Sequence, residues 1–240
     1  IKEINVQIEH LRENEFKLIV VNDGSTSKRP NISLPKNIKK IKIINMKINR
    51  GHAECISYGL RFISKKEKFD KVILMDGDGE DRPEEIKDLL LKSSKKDNIS
   101  VVAKRVKRSE GLIFEILYQF HKLITLIFTG KKINFGNYTC LSKNDITKIC
   151  NNPNLWSSFS GTLKQDIKNY YEINCIRGSR YFGPSKMSFI KLIYHSLSII
   201  SVFKYEVLIR SLLIFVILYF AQKFLGSITI FLQLLLIIFY

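Results

Sequence analysis

The stretch "KVILMDGDGEDRPEEI", residues 71–86, decides the fold, because it joins a short apolar run directly to a group of acids. The continuous apolar run at 71–75 predicts a strand that is buried on both faces. Asp76 and Asp78 come directly after it, and open α/β sheets bind ligands at the carboxyl ends of their strands. We therefore expect an α/β fold with two carboxylates at the ligand-binding edge of its sheet.

The first half of the chain alternates between strand-like and helix-like segments. Asp81, Pro83 and Glu84 have the spacing of a helix start at which Asp81 caps the first turn. Further strands are predicted at "FKLIVV" (16–21), "IKKIKIINM" (38–46) and "ISVVAKR" (99–105), and a helix at "GHAECISYGLRFISKK" (51–66). This alternation favours a mostly parallel sheet. The chain starts with helical spacing and no strand before it, so we expect the first strand of the fold to be missing.

The amino-acid composition limits the classes of binding partner that the sequence predicts. The 240 residues include 39 Lys+Arg against 22 Asp+Glu, which fits nucleic acid, anionic lipid or a phosphate-rich substrate. No helix-turn-helix, zinc-finger or aromatic RNA-binding signature is present, which argues against nucleic acid. The lysines are also scattered among Ile and Asn, as AT-rich coding alone would produce. The four cysteines lie far apart, without the spacing of a metal site or a disulfide framework.

Two apolar segments in the second half suit a membrane surface. Residues 110–130 are strongly apolar but carry Glu115, His121 and Lys122, which favours a helix lying on a membrane; a buried core helix fits equally well. Residues 186–203 combine lysines with large apolar side chains and also suit an interfacial helix.

The C-terminal residues predict membrane helices. Residues 207–225 would span roughly 28 Å as a helix, against about 30 Å of bilayer hydrocarbon, with Arg210 and Lys223 near the ends to snorkel. Residues 227–240 predict a second membrane helix that is cut short. The alternative for the pair is a soluble hydrophobic hairpin.

The Asp-x-Asp pair predicts a metal site. Two neighbouring carboxylates repel each other unless a cation or a shifted pKa relieves them. Oxygen ligands suit Mg²⁺ or Mn²⁺, and Mg²⁺ commonly combines one or two carboxylates with substrate phosphates. Asp76 and Asp78 would then hold a metal that holds a diphosphate. A solvated acidic turn is the alternative.

Two earlier strand ends carry polar turns of the same kind. "VVNDGSTS" (20–27) offers short polar side chains that could grip a nucleoside, and "NRGHAECISYGL" (49–60) offers a helix N-terminus that favours phosphate. Each alone could be an ordinary turn or helix cap. The candidate substrate-binding residues are Asp23, Gly24, Ser25, Asn49, Arg50 and Gly51.

These three motifs, in this order, resemble those of the family 2 glycosyltransferases. "RYFGPSK" (180–186) is similar to a later pattern of the membrane-attached, dolichol-phosphate mannosyltransferase-like branch, which charges polyprenyl phosphates. The resemblance covers essentially the whole chain and implies a Rossmann-like, GT-A type domain at 1–180. An acceptor loop and interfacial helix at 181–205 and two transmembrane helices at 206–240 would follow.

The resemblance also implies roles for residues. Asp23 would contact the base or ribose, Asp76 would lie near the ribose and metal, and Asp78 would bind the metal directly. This chain has Glu80 where the branch usually has Gln, and Asn137 where it usually has Asp. Because Asn137 cannot act as a carboxylate base, the general base stays open.

An acceptor phosphate needs cations more than it needs a base. A lipid phosphate has a second pKa near 6, so much of it is a dianion that can attack the sugar directly. Arg177, Arg180 and Lys186, with Ser185 as a hydrogen-bond donor, are the candidates to place it. Their alternative role is contact with lipid headgroups. His52 is expected to have a packing role.

The expected protein is a membrane-anchored, inverting glycosyltransferase of the cell membrane, multi-pass, with its catalytic domain at the cytoplasmic face. It would move sugar from a UDP- or GDP-type donor to a polyprenyl phosphate. Transfer of a single sugar is favoured over polymerisation, because Trp156 lacks the Gln-x-x-Arg-Trp setting of processive synthases. Alternatives are transfer to another membrane acceptor, such as a glycolipid, and a non-catalytic nucleotide-binding subunit. A homo-oligomer is left open.

Overall fold

A computed structural model describes residues 1–11, 13–26, 33–94, 99–107, 112–183 and 189–239. The chain divides into two compact units, Ile1–Ser109 with Asn134–Lys186, and Glu110–Ile133 with Met187–Tyr240. The apolar segment around 110–130, which the sequence analysis places inside the catalytic region, thus groups with the C-terminal helices.

The elements follow the predicted alternation in the first unit and are helical in the second. The described strands are β1 (Lys17–Asn22), β2 (Lys40–Asn45), β3 (Lys71–Leu74), β4 (Val101–Lys107), β5 (Thr139–Ser142) and β6 (Tyr171–Ile176). The described helices are α1 (Lys2–Ile8), α2 (His52–Lys66), α3 (Ile86–Ser94), α4 (Leu112–Thr129), α5 (Lys143–Asn151), α6 (Phe159–Asp166), α7 (Phe189–Ser201), α8 (Lys204–Leu225) and α9 (Ile228–Phe239). Short 3₁₀ turns cover Pro83–Glu85 and Pro153–Trp156.

The strands form mixed rather than mostly parallel sheets. β1 and β2 pair in parallel. The larger sheet has the order β3-β5-β4-β6, in which β4 and β6 are parallel but β5 runs antiparallel to both of its neighbours. The expectation of a mostly parallel sheet is therefore wrong in the larger sheet, because β5 inserts between β3 and β4 in the opposite direction. The residues of β5 are fully buried, and Cys140 packs in one core cluster with Leu89 of α3 and Val101 of β4.

Two local predictions around β3 need correction. β3 is only partly buried along its length, so it is not enclosed on both faces. Pro83 does start a helical turn, but Asp81 does not cap it. The Asp81 carboxylate instead accepts a hydrogen bond from the Asp76 N–H at 2.8 Å. This contact turns the chain back on itself after the strand.

The second unit has its own apolar core. Ile200, Val202, Phe203 and Val207 are buried at the junction of α7 and α8, and side chains of α4 pack against them. Arg210 of α8 donates to the carbonyl oxygen of Ile127 at 3.4 Å, near the last turn of α4. Arg210 thus ties two helices together, a role that sequence position alone did not indicate.

One described helix, α8, is long and apolar enough to cross a membrane. It has 22 residues with a mean hydropathy of 1.8 over its most apolar window, only 11% of which is buried. Its length would be about 33 Å at 1.5 Å per residue. α9 has 12 residues and does not meet the same criterion. The prediction of two membrane-spanning helices is therefore not confirmed.

Candidate active site

The acidic loop, residues 76–82, follows β3 and is folded partly by its own carboxylates. The Asp81 side chain is 2% exposed and holds the Asp76 N–H, as described above. Asp78 Oδ1 accepts from the Glu80 N–H at 3.0 Å. Gly79 between them has a φ of 97°, a conformation that favours glycine. The loop therefore presents the side chains of Asp76, Asp78 and Glu80 from a fixed backbone.

The arginine segment, residues 177–181, follows β6 and meets this loop. The Glu80 carboxylate forms ion pairs with both arginines of the segment: one oxygen contacts Arg177 and the other lies 2.8 Å from Arg180 Nε. Arg180 Nη2 is also 3.1 Å from Asp78 Oδ2. Three of the predicted site residues are thus brought together, and Glu80 is the residue that joins them.

Glu80 is ionised in this setting. Burial by itself raises the pKa of a carboxyl, but hydrogen bonds and charges from Arg177 and then Arg180 outweigh burial, and the pKa of Glu80 is lowered. The two guanidinium groups are therefore balanced by a carboxylate that stays charged near neutral pH.

His52, the first residue of α2, reaches the acidic loop from another direction. Its Nε2 lies 2.8 Å from Asp76 Oδ1. The hydrogen bond to Asp76 raises the pKa of His52, burial opposes this, and the negative charges of Asp76, Asp81 and Asp78 add to the increase. The structure thus places His52 at the site, where the sequence analysis expected a packing role.

The polar turn after β1 is hydrogen-bonded to the start of α2. Asp23 Oδ1 accepts from the Arg50 N–H at 2.7 Å, and Oδ2 accepts from the Gly51 N–H at 2.8 Å. The Asn49 side chain donates to the Asp23 carbonyl at 3.0 Å. A carboxylate of the same chain thus holds the N–H groups of Arg50 and Gly51, and phosphate binding at this helix start stays a prediction.

Gly24 makes this arrangement possible. It has a φ of 68°, and a Cβ on it would lie 2.9 Å from the Asn49 backbone nitrogen. The next residue, Ser25, donates its N–H to Asn22 Oδ1 at 3.2 Å, so the turn after β1 is closed by its own side chains. Because α2 carries Gly51 at its N-cap and His52 directly after it, both polar strand ends meet the same helix start.

Comparison with known proteins identifies the family. The family model described as "Glycosyl transferase family 2" matches residues 2–171. The chain belongs to glycosyl transferase family 2. The prediction made from the three motifs is thereby confirmed at the level of the family, and the mixed α/β sheets fit the GT-A fold expected of it.

A curated relative adds a more specific similarity. The chain is 28% identical over 188 residues to "Undecaprenyl-phosphate 4-deoxy-4-formamido-L-arabinose transferase" from Photorhabdus laumondii subsp. laumondii. The aligned region is 75% of this chain and 55% of the relative, so the chain spans about half the length of that protein.

Within this glycosyltransferase the candidate residues fall into three groups. Asp78, Arg177 and Arg180 come together around Glu80, and Asp76 lies on the same loop in contact with His52. The residues of the first two motifs form the cluster around Asp23, whereas Ser185 and Lys186 lie outside the described residues. Neither the ion pairs of Glu80 with both arginines nor the contact of His52 with Asp76 was predicted from the sequence. The role of Glu80 could have been suspected, because the branch usually has Gln at this position. For His52 the sequence offered only its position beside a motif.

The acids can be tested for a fit to a divalent metal. Carboxylate oxygens are the donors that Mg²⁺ and Mn²⁺ prefer, so the types of Asp76 and Asp78 fit such an ion. Among the residues that the structure describes, however, no group of three or more His, Cys, Asp or Glu side chains is arranged to hold one. His52 contacts Asp76 and Arg180 contacts Asp78. An ion that takes Asp78 Oδ2 as a ligand therefore has to displace the Arg180 guanidinium.

Proposed function

We propose that the chain transfers a single sugar from a nucleotide diphosphate sugar to a polyprenyl phosphate at a membrane. The observation that carries the proposal is the ion pair between Asp78, the second acid of the Asp-x-Asp pair, and Arg180 of the arginine segment, in a member of glycosyl transferase family 2. Acids that suit a metal–diphosphate complex lie beside cations that suit a second phosphate. The similarity to the curated relative, which is an undecaprenyl-phosphate sugar transferase, supports this acceptor class.

The donor is assigned to the helix start of α2 and the acidic loop. A nucleotide diphosphate sugar of the UDP or GDP type would lie across the carboxyl ends of β1 and β3, where ligands bind in α/β sheets. Asp23 and the turn around it would contact the nucleoside, with Asn49 and Arg50 beside it. Asp76 and Asp78 would hold Mg²⁺ or Mn²⁺, which would neutralise charge on the departing diphosphate.

The acceptor is assigned to the arginines. A phosphate oxygen of the lipid attacks the anomeric carbon as the bond from that carbon to the diphosphate oxygen breaks, and the nucleoside diphosphate leaves with the electron pair. A single displacement inverts the anomeric configuration. Arg180, with Lys186 and Ser185 further along the chain, would hold the attacking phosphate against the repulsion of the donor. A dianionic phosphate needs no base, which accommodates Asn137.

The membrane is the proposed location. α8 exposes large apolar side chains along its length, including Leu212, Ile217, Phe220 and Phe224. Lys204 begins this helix, and Arg210 lies two turns further on, beside the end of α4. Lys204 and Arg210 lie toward the start of the helix and Lys223 alone lies toward its end, and the end with more positive charge favours the cytoplasmic side. We therefore place the start of α8, and the catalytic unit that precedes it in the chain, at the cytoplasmic face.

The test is sugar transfer by the full chain in detergent micelles or proteoliposomes. Undecaprenyl phosphate and a diacylglycerol are offered as acceptors with Mn²⁺ and a panel of radiolabelled UDP- and GDP-sugars. We expect a lipid product only with the phosphate acceptor, and mild acid should release the sugar from it. A product formed only on diacylglycerol would overturn the acceptor assignment, and no product from any donor would overturn the proposed activity.

A further inference from the structure

The acidic loop and the arginine segment interlock through their backbones. The Gly178 N–H donates to the Glu80 carbonyl at 2.9 Å, and the Tyr181 N–H donates to the Asp78 carbonyl at 2.9 Å. The backbones of the two segments lie so close together that a Cβ on Gly178 would be 2.3 Å from the Gly79 carbonyl oxygen. A displacement of one segment must therefore break contacts with the other.

The Glu80 carboxylate adds side-chain contacts to this backbone pairing, and it treats its two arginines differently. The side chains of Glu80 and Arg177 are 9% and 11% exposed, so their ion pair is nearly buried. Removing one partner of a buried pair leaves the other charged without compensation, which strongly disfavours separation. Arg180 is 27% exposed and shares its guanidinium between Glu80 and Asp78. Arg177 is thus placed as an anchor, and Arg180 as the group that can face a ligand.

We propose that Glu80 is a positioning residue: with Arg177 as its fixed counter-ion, it anchors the arginine segment and holds the Arg180 guanidinium beside Asp78, where a phosphate group meets it. The nature of that phosphate rests on the proposed function, whereas the anchor is a property of the folded chain. A neutral Gln offers only one acceptor oxygen in place of two, so contact with both guanidinium groups depends on the carboxylate of Glu80.

Limited trypsin digestion of the full chain tests the anchor without any substrate. The bonds after Arg177 and Arg180 are trypsin sites, and a bond that stays anchored is cleaved only when the segment opens. We expect Glu80→Gln to speed cleavage after Arg177 and Arg180 by about tenfold or more, because local opening of the arginine segment becomes easier, with the sites outside this segment unchanged. Mass spectrometry of the fragments over time gives the rates.

Glu84→Gln is the matched control. Glu84 carries the same charge on the residues that follow the acidic loop, but it is exposed and pairs with Arg82 at 3.4 Å. Cleavage after Arg180 should stay at the wild-type rate in this variant. Equal rates in Glu80→Gln and wild type would overturn the proposal, and so would equal acceleration in the two variants.

A second variant decides the case if Glu80→Gln unfolds and every site is cleaved faster. Arg177→Lys keeps the positive charge but loses the planar fork that fits a carboxylate. We expect faster cleavage after residues 177 and 180, with the sites outside the arginine segment unchanged, by a smaller factor than in Glu80→Gln. No acceleration there in a folded Arg177→Lys chain would overturn the anchor.

A kinetic readout separates positioning from a purely structural role. In the transfer assay, Glu80→Gln should raise the KM for undecaprenyl phosphate by about tenfold, as expected when a charged contact is misplaced, and leave the KM for the nucleotide sugar within about twofold. Equal change in both KM values, or in neither, would contradict positioning. A wild-type chain without transfer activity would defeat the proposed function and leave the trypsin result standing.

Discussion

Two carboxylates at strand ends look alike in the sequence and differ in the structure. Asp23 follows β1, and both of its oxygens accept hydrogen bonds from backbone N–H groups at the start of α2. Asp78 lies in the loop after β3; one oxygen accepts a backbone N–H, and the other pairs with the side chain of Arg180. A backbone N–H cannot leave without moving the helix, whereas an arginine side chain can rotate away.

This difference indicates that Asp23 stabilises the fold, whereas Asp78 can bind a ligand. The partners of Asp23 are fixed, so its first contribution is to the geometry of the turn and the helix start. The partner of Asp78 on its outer oxygen is a side-chain nitrogen, so a cation can replace it while Glu80 still holds the Nε of Arg180. The predictions below test this contrast.

The largest expected effect is on catalysis. Asp78→Asn should reduce the rate of sugar transfer by about 100-fold or more, the size seen when one charge-stabilising group is removed from an active site. The melting temperature should hardly change, because a partly exposed ion pair contributes about 0–1 kcal/mol. Transfer assays and thermal melting of the same preparation check both parts. A large loss of stability would show that Asp78, like Asp23, serves the fold.

The second effect is on stability. Asp23→Ala removes the acceptor of two backbone N–H groups, and we expect the free energy of unfolding to fall by about 2 kcal/mol. For a chain of this length that is a decrease in melting temperature of about 4–8 °C. Differential scanning fluorimetry in detergent gives the shift. An unchanged melting temperature would mean that water replaces the carboxylate without cost, and the contrast with Asp78 would fail.

The third effect is stabilisation by ligands. Adding Mn²⁺ together with UDP or GDP should raise the melting temperature of the wild-type chain, since a ligand that binds only the native state adds about 2.7 kcal/mol at 100 times its Kd. The increase should be lost on chelation with EDTA and in Asp78→Asn. An equal increase in that variant would show that the metal does not bind Asp78. Arg180 would then be the functional partner of the outer oxygen of Asp78.

The smallest effect concerns a thiol beside Asp23. Burial, then the hydrogen bond and charge of Asp23, raise the pKa of Cys55 to about 12. At pH 8 the thiol should therefore be protonated and resist iodoacetamide in the native chain, because the thiolate is the nucleophile. Asp23→Asn should lower that pKa and speed alkylation, which peptide mapping would quantify. Fast alkylation of the wild type would indicate that this helix start opens readily.

Much of the fold could be predicted from the sequence pattern. β1, β2, β4 and α2 formed within a few residues of the segments that their periodicity indicated, because short runs of alternating or apolar side chains specify a strand locally. The direction of β5 was not accessible. Its burial between β3 and β4 depends on how the chain returns after α4, and no local pattern encodes the orientation of a strand in a sheet.

The site divides in the same way. Asp76 and Asp78 could be picked out because two acids after an apolar strand are conspicuous. Arg180 follows them by about a hundred residues, and only a motif resemblance connected it to them. The Glu80 bridge to Arg177 and Arg180 could not be predicted, since an ion pair between distant residues depends on the path of the chain between them.

The family, the alternation of strands and helices, the strand-end acids and the apolar C-terminal helix could all be predicted from the sequence, because each depends on residues that are close along the chain. The contacts of each acid could be known only from the folded chain. Asp23 faces backbone, Asp76 faces His52, and Asp78 and Glu80 face arginines, since segments far apart in the chain come together only when the sheet is built. Whether a carboxylate stabilises a turn or awaits a ligand is set by that encounter.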